Sequence, residues 1–447
     1  MPITKQEAEQ KVILGNELKG GINGVKPGAP VIYRDAQESE YAFTLSASQL
    51  SRHILLLGGA GSGKTNVFNL TVNQLREYDN PDDIYIVFDT KGDFYNNFGK
   101  PGDYVIGNSK QYRSVSQRWN IFDEVLSDGH DRREYEINAK EIASVLFEDR
   151  GSTSQPFFSN AAKDIFAKTI SYFIRRSEED SRWKSLLNNY NLVNWLNNAS
   201  GPDFAKIFNF YKDMRGTLSY IGDGKSSQAL GVFGELRSML SDCFIGVFAE
   251  NDSMGRFSIR NAVKQKGGRA VFIEYDLMTG ETLTPIYRLL VDLALKEALG
   301  RSENQKNGNV FIILDELKLL PKLQHLDDAL NFGRSLGVKV MAGIQTINQL
   351  YDIYGEEKGH VLAGGFSTLF AFHTLDSASR DYVSEIFGKN VVSYQYTRND
   401  GSVEVREREG NTVESWDQMD LKTGEAIIGL ADETEPFQFV FEEYKRG

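Results

Sequence analysis

The chain has 447 residues, of which 40% are hydrophobic and 25% are charged, and its formal net charge is −12. This composition is typical of a globular protein with material for roughly two or three domains. Its one cysteine, Cys243, excludes an internal disulfide and a zinc site built from cysteines. The acidic balance argues against a surface that is basic all over, but it leaves open a local basic loop that faces DNA.

Membrane segments and targeting signals are not visible in the sequence as given. No apolar run reaches the roughly 18–20 residues that span a bilayer, and the N-terminus MPITKQEAEQ lacks the apolar core of a signal peptide. The five histidines are scattered without the spacing of metal ligands. The sequence therefore predicts a cytoplasmic protein with no metal site beyond a nucleotide-bound Mg²⁺.

The first strongly marked element is a strand that leads through a glycine-rich turn into a helix. The apolar run Ile54–Leu57 precedes the letters GGAGSGKT, which fit the template G-x-x-x-x-G-K-[ST] at every fixed position. Such glycines let backbone N–H groups point at phosphate oxygens, and the next helix presents its positive N-terminus to the same anion. Lys64 is expected to reach the β- and γ-phosphates, and Thr65 to hold Mg²⁺. The predicted phosphate loop comprises Gly58, Gly59, Ala60, Gly61, Ser62, Gly63, Lys64 and Thr65.

Apolar, β-rich runs that end in polar or glycine turns recur along the whole chain, with helical patterns between them. This alternation predicts an α/β fold with a doubly wound, mostly parallel sheet. The runs are His53–Gly58, Ile84–Asp89, Tyr104–Gly107, Arg269–Asp276, Val310–Asp315, Val338–Ile344, Leu369–His373 and Ala426–Leu430.

Between about Arg132 and Arg256 the pattern changes from strands to helices. We therefore predict an all-α domain at 132–256, inserted into a nucleotide-binding domain whose two parts are 1–131 and 257–447. The predicted helices are Tyr135–Phe147, Phe158–Arg175, Leu192–Leu196, Asp203–Tyr211 and Ser227–Leu240.

A later strand supplies the acidic residues that a phosphate loop requires. Val310–Leu317 reads VFIILDEL, a buried-strand pattern that ends in Asp315 and Glu316. Asp315 is expected to bind Mg²⁺ directly or through water, and Glu316 to polarise the attacking water. A carboxylate beside the metal favours hydrolysis over phosphoryl transfer to a protein or metabolite. The alternative is that both acids are ordinary solvated residues at a strand end.

Three further polar residues are candidates for the catalytic core. Val338–Leu350 predicts a strand that ends at Gln345, whose amide would sense the γ-phosphate or orient the water, or would only cap the strand. Arg334 lies on the turn before this strand, and Arg380 lies in the helix start Asp376–Arg380. Each arginine is a candidate for a finger that acts on the nucleotide of a neighbouring subunit, and the alternative for Arg334 is a surface ion pair.

Near the C-terminus, Asn390–Thr412 alternates aromatic, β-branched and charged residues around Asn399-Asp400-Gly401. This pattern predicts a β-hairpin with a tight turn. Its arginines are balanced by glutamates, which favours a solvated ribbon over one that contacts DNA.

The order of these motifs resembles the type IV secretion coupling proteins of bacterial conjugation. The resemblance extends from about Leu14 to Phe441, and the wider relatives are the FtsK- and HerA-like ring motors that pump DNA. Its most characteristic segment is Asp327–Gly355, which contains GRSLGVKVMAGIQTINQLYDIYG. The other shared motifs are GAGSGKT, Asp89–Asp93 (DTKGD), LDEL, and Ala342–Gln345 (AGIQ) followed by Gln349-Leu350.

The resemblance implies a RecA-like P-loop NTPase with a mostly parallel sheet and an inserted all-α domain. It also implies a homohexameric ring that uses ATP and Mg²⁺ to move DNA, with or without attached protein, through a central channel. The all-α domain would recruit the relaxase–DNA substrate, and the ring would work beside membrane-anchored components of the secretion channel. Residue by residue, Lys64 and Thr65 match the family's phosphate loop, Asp315 and Glu316 its Walker B pair, and Gln345 its sensor motif.

The sequence departs from the family at two places. Coupling proteins usually carry N-terminal transmembrane helices, and none is visible here. Truncation, anchoring by a separate small membrane protein, and work away from the membrane all stay open, with the cytoplasmic face of the membrane as the expected location. The family's trans-acting arginine is expected just before the helix that holds Arg380, where this chain has His373-Thr374.

Two other functions stay open at this point. One is a cytosolic HerA-like motor for DNA processing or phage defence. The other is an ATP-switched platform that recruits protein substrates and moves nothing.

Overall fold

The structure is a computed structural model, and it divides into two compact units. The first unit comprises Met1–Asp89, Asp93–Lys100 and Ala298–Gly447, and the second comprises Thr90–Gly92 and Pro101–Glu297. The residues that the structure describes are 3–4, 22–26, 39–43, 45, 47–78, 80–150, 156–250, 255–301, 308–397, 400–433 and 435–445.

The strands and helices are numbered here in chain order. The strands are β1 (Ile3–Thr4), β2 (Ile22–Lys26), β3 (Ser39–Phe43), β4 (Ile54–Leu57), β5 (Ile84–Asp89), β6 (Tyr104–Gly107), β7 (Arg118–Trp119), β8 (Arg256–Phe257), β9 (Arg269–Glu274), β10 (Val310–Leu314), β11 (Val338–Ile344), β12 (Thr368–Phe372), β13 (Lys389–Thr397), β14 (Val403–Asn411), β15 (Glu425–Gly429) and β16 (Phe437–Phe441). The helices are α1 (Ala47–Leu50), α2 (Lys64–Tyr78), α3 (Phe94–Phe98), α4 (Ile121–Val125), α5 (Arg132–Phe147), α6 (Pro156–Glu179), α7 (Asn189–Asn198), α8 (Gly201–Phe210), α9 (Leu218–Ile221), α10 (Ser227–Cys243), α11 (Ile259–Gln265), α12 (Gly280–Leu299), α13 (Leu326–Phe332), α14 (Asn348–Tyr354), α15 (Glu356–Gly365), α16 (Ser377–Phe387) and α17 (Ser415–Met419).

The first unit is built on parallel strands in the order β12, β4, β11, β10 and β5. Ile344 pairs with Leu57, and Leu314 pairs with both Ala342 and Phe88, so the strands end at one common edge. Every residue of these five strands is buried, which explains why the sequence shows continuous apolar runs rather than an alternating pattern. The predicted α/β fold with a mostly parallel sheet is confirmed.

Beyond β12 the same sheet continues with antiparallel strands. β15 pairs antiparallel with β12, and β16, β2, β3 and β1 follow in that order. The predicted strand Ala426–Leu430 is present as β15, but it runs against the parallel core. A buried strand has the same apolar pattern in either direction, so its direction could not be predicted from the sequence.

The second unit is mainly helical and has an aromatic core. The helices from α4 to α11 belong to it, together with the parallel pair β6–β9 and the short pair β7–β8. Helix α6 buries Phe166 and Phe173, and the ring of Phe173 lies 6.1 Å from that of Phe122 and 6.0 Å from that of Trp195. Helices, whose periodic patterns are visible in the sequence, therefore make up most of this unit.

The helices predicted between 132 and 256 are present as α5, α6, α7, α8 and α10. The domain boundaries predicted at residues 132 and 256 lie inside the second unit, which is wider because it also contains β6 and β9. A separate all-α domain with those boundaries stays a prediction.

The predicted hairpin near the C-terminus is confirmed. β13 and β14 pair antiparallel, from Lys389 opposite Asn411 to Thr397 opposite Val403. Asn399, in the predicted turn, lies outside the described residues. The side chains of Val391, Val403 and Val405 are more than half exposed, so the described part of the ribbon presents apolar groups to solvent.

Candidate nucleotide-binding site

The phosphate loop, Gly58–Thr65, connects the carboxyl end of β4 to the first turn of α2. Gly58 donates its N–H to the carbonyl of Ile344 at 3.2 Å, and Gly59 donates to the carbonyl of His373 at 2.9 Å. Ile344 ends β11 and His373 follows β12, so the loop is tied to the strand on each side of β4. Its position is fixed by backbone contacts that no sequence motif records.

Two of the loop's glycines are required by their surroundings. A Cβ at Gly58 would lie 2.6 Å from Cβ of Phe372, which is too close for any other residue. Gly63 has φ +113°, and a Cβ there would lie 2.8 Å from the backbone nitrogen of Gly424. Gly63 therefore combines the left-handed conformation that glycine tolerates with a close approach to another segment.

Lys64 begins α2, and its ammonium lies over the loop. Its Nζ donates to the carbonyl of Gly58 at 2.5 Å and to that of Gly59 at 3.1 Å, and its side chain is buried. The Lys64 ammonium, held by backbone carbonyls, is therefore a buried positive charge beside the concave loop of backbone N–H groups. This arrangement is suited to binding phosphate oxygens.

Thr65 and Asp315 come together from two different elements. The hydroxyl of Thr65, in the first turn of α2, donates to Oδ1 of Asp315 at 3.5 Å, and Asp315 lies just past the end of β10. Asp315 is buried. A hydroxyl and a carboxylate at this spacing are oxygen ligands of the kind that Mg²⁺ accepts together with phosphate and water.

Glu316 is half-buried, and its two oxygens have different surroundings. Oε2 accepts a hydrogen bond from Nε2 of Gln345 at 2.8 Å, whereas Oε1 is buried and has no hydrogen-bond partner among the described residues. Burial raises the pKa of the Glu316 carboxyl, while the Gln345 amide and the Lys64 ammonium act to lower it. A carboxylate with one unsatisfied oxygen beside a phosphate-binding loop is able to accept a proton from a water molecule.

Gln345 is held in place by a residue to which sequence reasoning assigned no role. Its backbone N–H donates to Oε1 of Gln349 at 2.9 Å, and Gln349 belongs to the next helix, α14. The sequence signal was the four-residue spacing of the two glutamines in QTINQ (345–349), which places the Gln349 amide one turn beyond the strand end. Movement of α14 would therefore move the group that holds Glu316.

The two candidate finger arginines lie at different edges of the sheet. Arg380 lies in α16, which follows the carboxyl end of β12, and its side chain donates to Ser415 Oγ at 2.8 Å and to the carbonyl of Thr374 at 3.4 Å. Arg334 is exposed on the turn Gly333–Leu336 that enters β11, so it lies at the edge opposite the phosphate loop. Among the described contacts, neither arginine has a hydrogen bond to the loop of its own chain, and both roles stay predictions.

Among the residues that the structure describes, no group of three or more His, Cys, Asp or Glu side chains could hold a metal ion by itself. No described helix is both long and apolar enough to cross a bilayer.

The sequence profile of a family described as "Type IV secretion-system coupling protein DNA-binding domain" matches residues 42–421. Among curated proteins, the coupling protein TraD of Escherichia coli (strain K12) is 24% identical over 366 residues, which cover 79% of this chain and 46% of TraD. The chain thus spans about half the length of this relative.

Solved structures show the same fold. The bacterial conjugative coupling protein TrwBdeltaN70, in an unbound form, superposes with a TM-score of 0.70 at 20% identity, covering 99% of this chain and 92% of that one. TrwB in complex with ADP and Mg²⁺ has a TM-score of 0.67 at 21% identity, covering 89% of this chain and 87% of that one.

Proposed function

The chain belongs to the type IV secretion-system coupling proteins, and from this premise we propose that it binds ATP with Mg²⁺ on the loop Gly58–Thr65 and hydrolyses it. One observation carries the proposal. The loop after β4, the acidic pair after β10 and Gln345 after β11 meet at one edge of the parallel strands, although they are far apart in the sequence.

The residues present fit a magnesium–nucleoside triphosphate. The glycine cradle allows close approach of phosphates, the Thr65–Asp315 pair offers oxygen ligands, and the unpartnered Oε1 of Glu316 faces no competing donor among the described residues. The fold neighbour TrwB has been solved with ADP and Mg²⁺, which supports the same ligands here. When bound, ATP supplies the phosphoric anhydride bond whose hydrolysis releases free energy.

Each residue then has a definite task in hydrolysis. The Lys64 ammonium and the loop N–H groups neutralise charge that develops on the β- and γ-phosphate oxygens. Thr65 and Asp315 would hold Mg²⁺. Glu316 would accept the proton of the attacking water, for which its raised pKa makes it a better base than an exposed glutamate.

Gln345 controls when Glu316 acts in this proposal. In the structure its amide occupies Oε2 of Glu316, and Gln349 fixes its backbone. A γ-phosphate that draws the Gln345 amide away would free Glu316 and shift α14 at the same time. The presence or absence of the γ-phosphate would thereby change the position of α14, a helix of the first unit.

On the level of the whole protein, we propose a homohexameric motor that moves DNA toward a secretion channel at the cytoplasmic face of the membrane. The family membership supports this, as does the family description, which names DNA binding. Its partners would be DNA, a relaxase or other secreted protein, and membrane-anchored channel components. Arg380 is the finger candidate at the nucleotide edge, and Arg334 would act only if a neighbouring subunit's nucleotide lies against the opposite edge.

The test is the steady-state ATPase rate of the chain with and without single- and double-stranded DNA, at low and at moderate salt. Lys64→Ala serves as the blank, because loss of its charge should lower turnover by at least about 100-fold. We expect salt-sensitive stimulation by one form of DNA. Turnover no higher than that of the blank would contradict the ATPase, and turnover indifferent to DNA would contradict the motor and favour a recruitment platform.

A further inference from the structure

The order of the strands decides on which side of the phosphate loop a nucleoside would lie. Asp315, Glu316 and Gln345 follow β10 and β11, which lie on one side of β4. A γ-phosphate has to face these residues if they bind Mg²⁺ and activate water. The opposite end of the nucleotide would then leave the loop toward β12, β15 and β16, on the other side of β4.

Two segments on that side contact the loop and the first turn of α2. Gly424, just before β15, donates its N–H to the carbonyl of Ser62 at 2.9 Å and accepts from the N–H of Phe441 at 2.8 Å. After β16 the chain passes α2 as Glu442–Tyr444, which we call the C-terminal strap. The strap is therefore the segment that borders the loop where the nucleoside would emerge.

Asn66 fastens the strap to α2. Its Nδ2 donates to the carbonyl of Glu442 at 2.9 Å, and its Oδ1 accepts from the N–H of Tyr444 at 2.7 Å. The amide thus bonds the strap backbone on both sides of Glu443. Asn66 directly follows Thr65, so the anchor lies one residue from a predicted Mg²⁺ ligand.

The chemistry of the strap suits a nucleoside better than a phosphate. Glu442 and Glu443 are exposed, whereas the ring of Tyr444 packs at 5.4 Å from that of Phe98. Carboxylates repel phosphate but accept hydrogen bonds from ribose hydroxyls, as an acidic residue does in dinucleotide-binding folds. An irregular segment with exposed carboxylates, held beside the loop by Asn66, fits the sugar end of the ligand.

We infer that the C-terminal strap forms one wall of the nucleoside pocket and that Asn66 is the positioning residue that holds it there. The inference rests on the proposed nucleotide site and names the part of the ligand, ribose and base, that the phosphate motif leaves unassigned. It also gives Glu442–Tyr444 a role in affinity for ATP.

The test compares ATP with inorganic tripolyphosphate, which has the phosphates but no nucleoside. Dissociation constants of both, with Mg²⁺, are measured by calorimetry for the wild type, for Asn66→Ala and for the matched control Asn73→Ala. Asn73 lies on the same helix and its amide bonds only Glu77 among the described contacts. Loss of two hydrogen bonds that order the strap should weaken ATP binding by about 10-fold in Asn66→Ala. Tripolyphosphate should change by less than about 2-fold, and Asn73→Ala should change neither.

The possible results distinguish failure of the strap inference from failure of the proposed phosphate site. Equal weakening of both ligands in Asn66→Ala, or no change in either, would overturn the inference while leaving the phosphate site in place. Failure of the wild type to bind either ligand would remove the proposed function together with the strap. A chain that ends at Phe441 provides the same comparison if Asn66→Ala does not fold, and unchanged ATP affinity in that chain would also refute the strap.

Discussion

Each compact unit contains a glutamate whose carboxyl pKa is raised by burial, and the surroundings of the two carboxyl groups differ. In the second unit, Glu124 is fully buried, and burial raises the pKa of its carboxyl to about 7. It accepts hydrogen bonds from Trp119 Nε1 at 2.9 Å, Ser258 Oγ at 2.8 Å and the backbone N–H groups of Ile259 at 2.6 Å and Arg260 at 3.2 Å. In the first unit, Glu316 receives one hydrogen bond, from Gln345, and keeps one buried oxygen without a partner among the described residues.

A structural carboxyl group differs from one kept available for chemistry in how much of its hydrogen-bonding capacity the fold uses. Glu124 binds the N-terminus of α11, where the first N–H groups of a helix lack partners, so its whole hydrogen-bonding capacity is used by the fold. Glu316 lies beside the phosphate loop with capacity to spare, and its one partner is itself attached to a neighbouring helix. A raised pKa occurs in both places, so the unsatisfied oxygen distinguishes the two, not the pKa.

The largest expected effect separates the two glutamates by activity. Glu316→Gln should lower ATP turnover by about 10³-fold, because an amide cannot accept the proton of the attacking water. ATP binding should remain, since the loop and the Thr65–Asp315 pair are untouched. Glu124→Gln is the matched control, and its turnover at 25 °C should stay within about 2-fold of the wild type. Comparable losses in the two variants would erase the distinction.

The second expected effect separates them by stability. Glu124→Ala should lower the free energy of unfolding by about 3–5 kcal/mol, because it leaves buried donors on Trp119 and at the start of α11 without an acceptor. Urea unfolding followed by tryptophan emission is the measurement. Three of the four tryptophans, Trp119, Trp183 and Trp195, lie in the second unit, so the signal reports mainly on that unit. Glu316→Ala is the comparison, and a loss as large as that of Glu124→Ala would mean that Glu316 is structural as well.

The smallest expected effect is a dependence of stability on pH. Burial raises the pKa of Glu124 from 4.5 to about 7, so its contribution to stability is fully present below pH 4.5 and is lost as the pH rises to 7. The corresponding change is at most about 3.5 kcal/mol, at roughly 1.4 kcal/mol for each pH unit between 4.5 and 7. In Glu124→Gln the side chain cannot ionise. The free energy of unfolding of this variant, measured in urea, should therefore rise relative to that of the wild type between pH 5 and pH 7.5. If the free energies of unfolding of the two proteins changed in parallel with pH, the hydrogen bonds to Glu124 would fully compensate the cost of burying its carboxylate.

Much of the nucleotide site could be predicted because its residues follow local rules. The loop GGAGSGKT, the acidic pair after an apolar strand and the glutamine at a strand end each have a signal within a few residues. The strands β5, β6 and β11 begin and end where their apolar runs do. The roles of these residues remain predictions until the variants are measured.

The parts that were missed depend on contacts between distant segments. Gln349 had no assigned role, and neither the strap nor its anchor Asn66 carries a motif. The antiparallel direction of β15 was likewise absent from the pattern of apolar residues. Arg334, a candidate finger, lies on the turn that enters β11, so the contact its role requires would come from another subunit, and that role stays a prediction.

The phosphate-loop motif, the acidic pair and the bounds of most strands and helices can be predicted from the sequence alone, because glycine freedom, charge and apolar periodicity are properties of short segments. Only the tertiary structure decided which strand ends meet at the loop, which oxygen of Glu316 is left unpaired and which segment borders the nucleoside side of the loop. These depend on hydrogen bonds between residues that are from 29 to 378 positions apart, whose pairing is selected by the packing of the whole sheet and leaves no local signal.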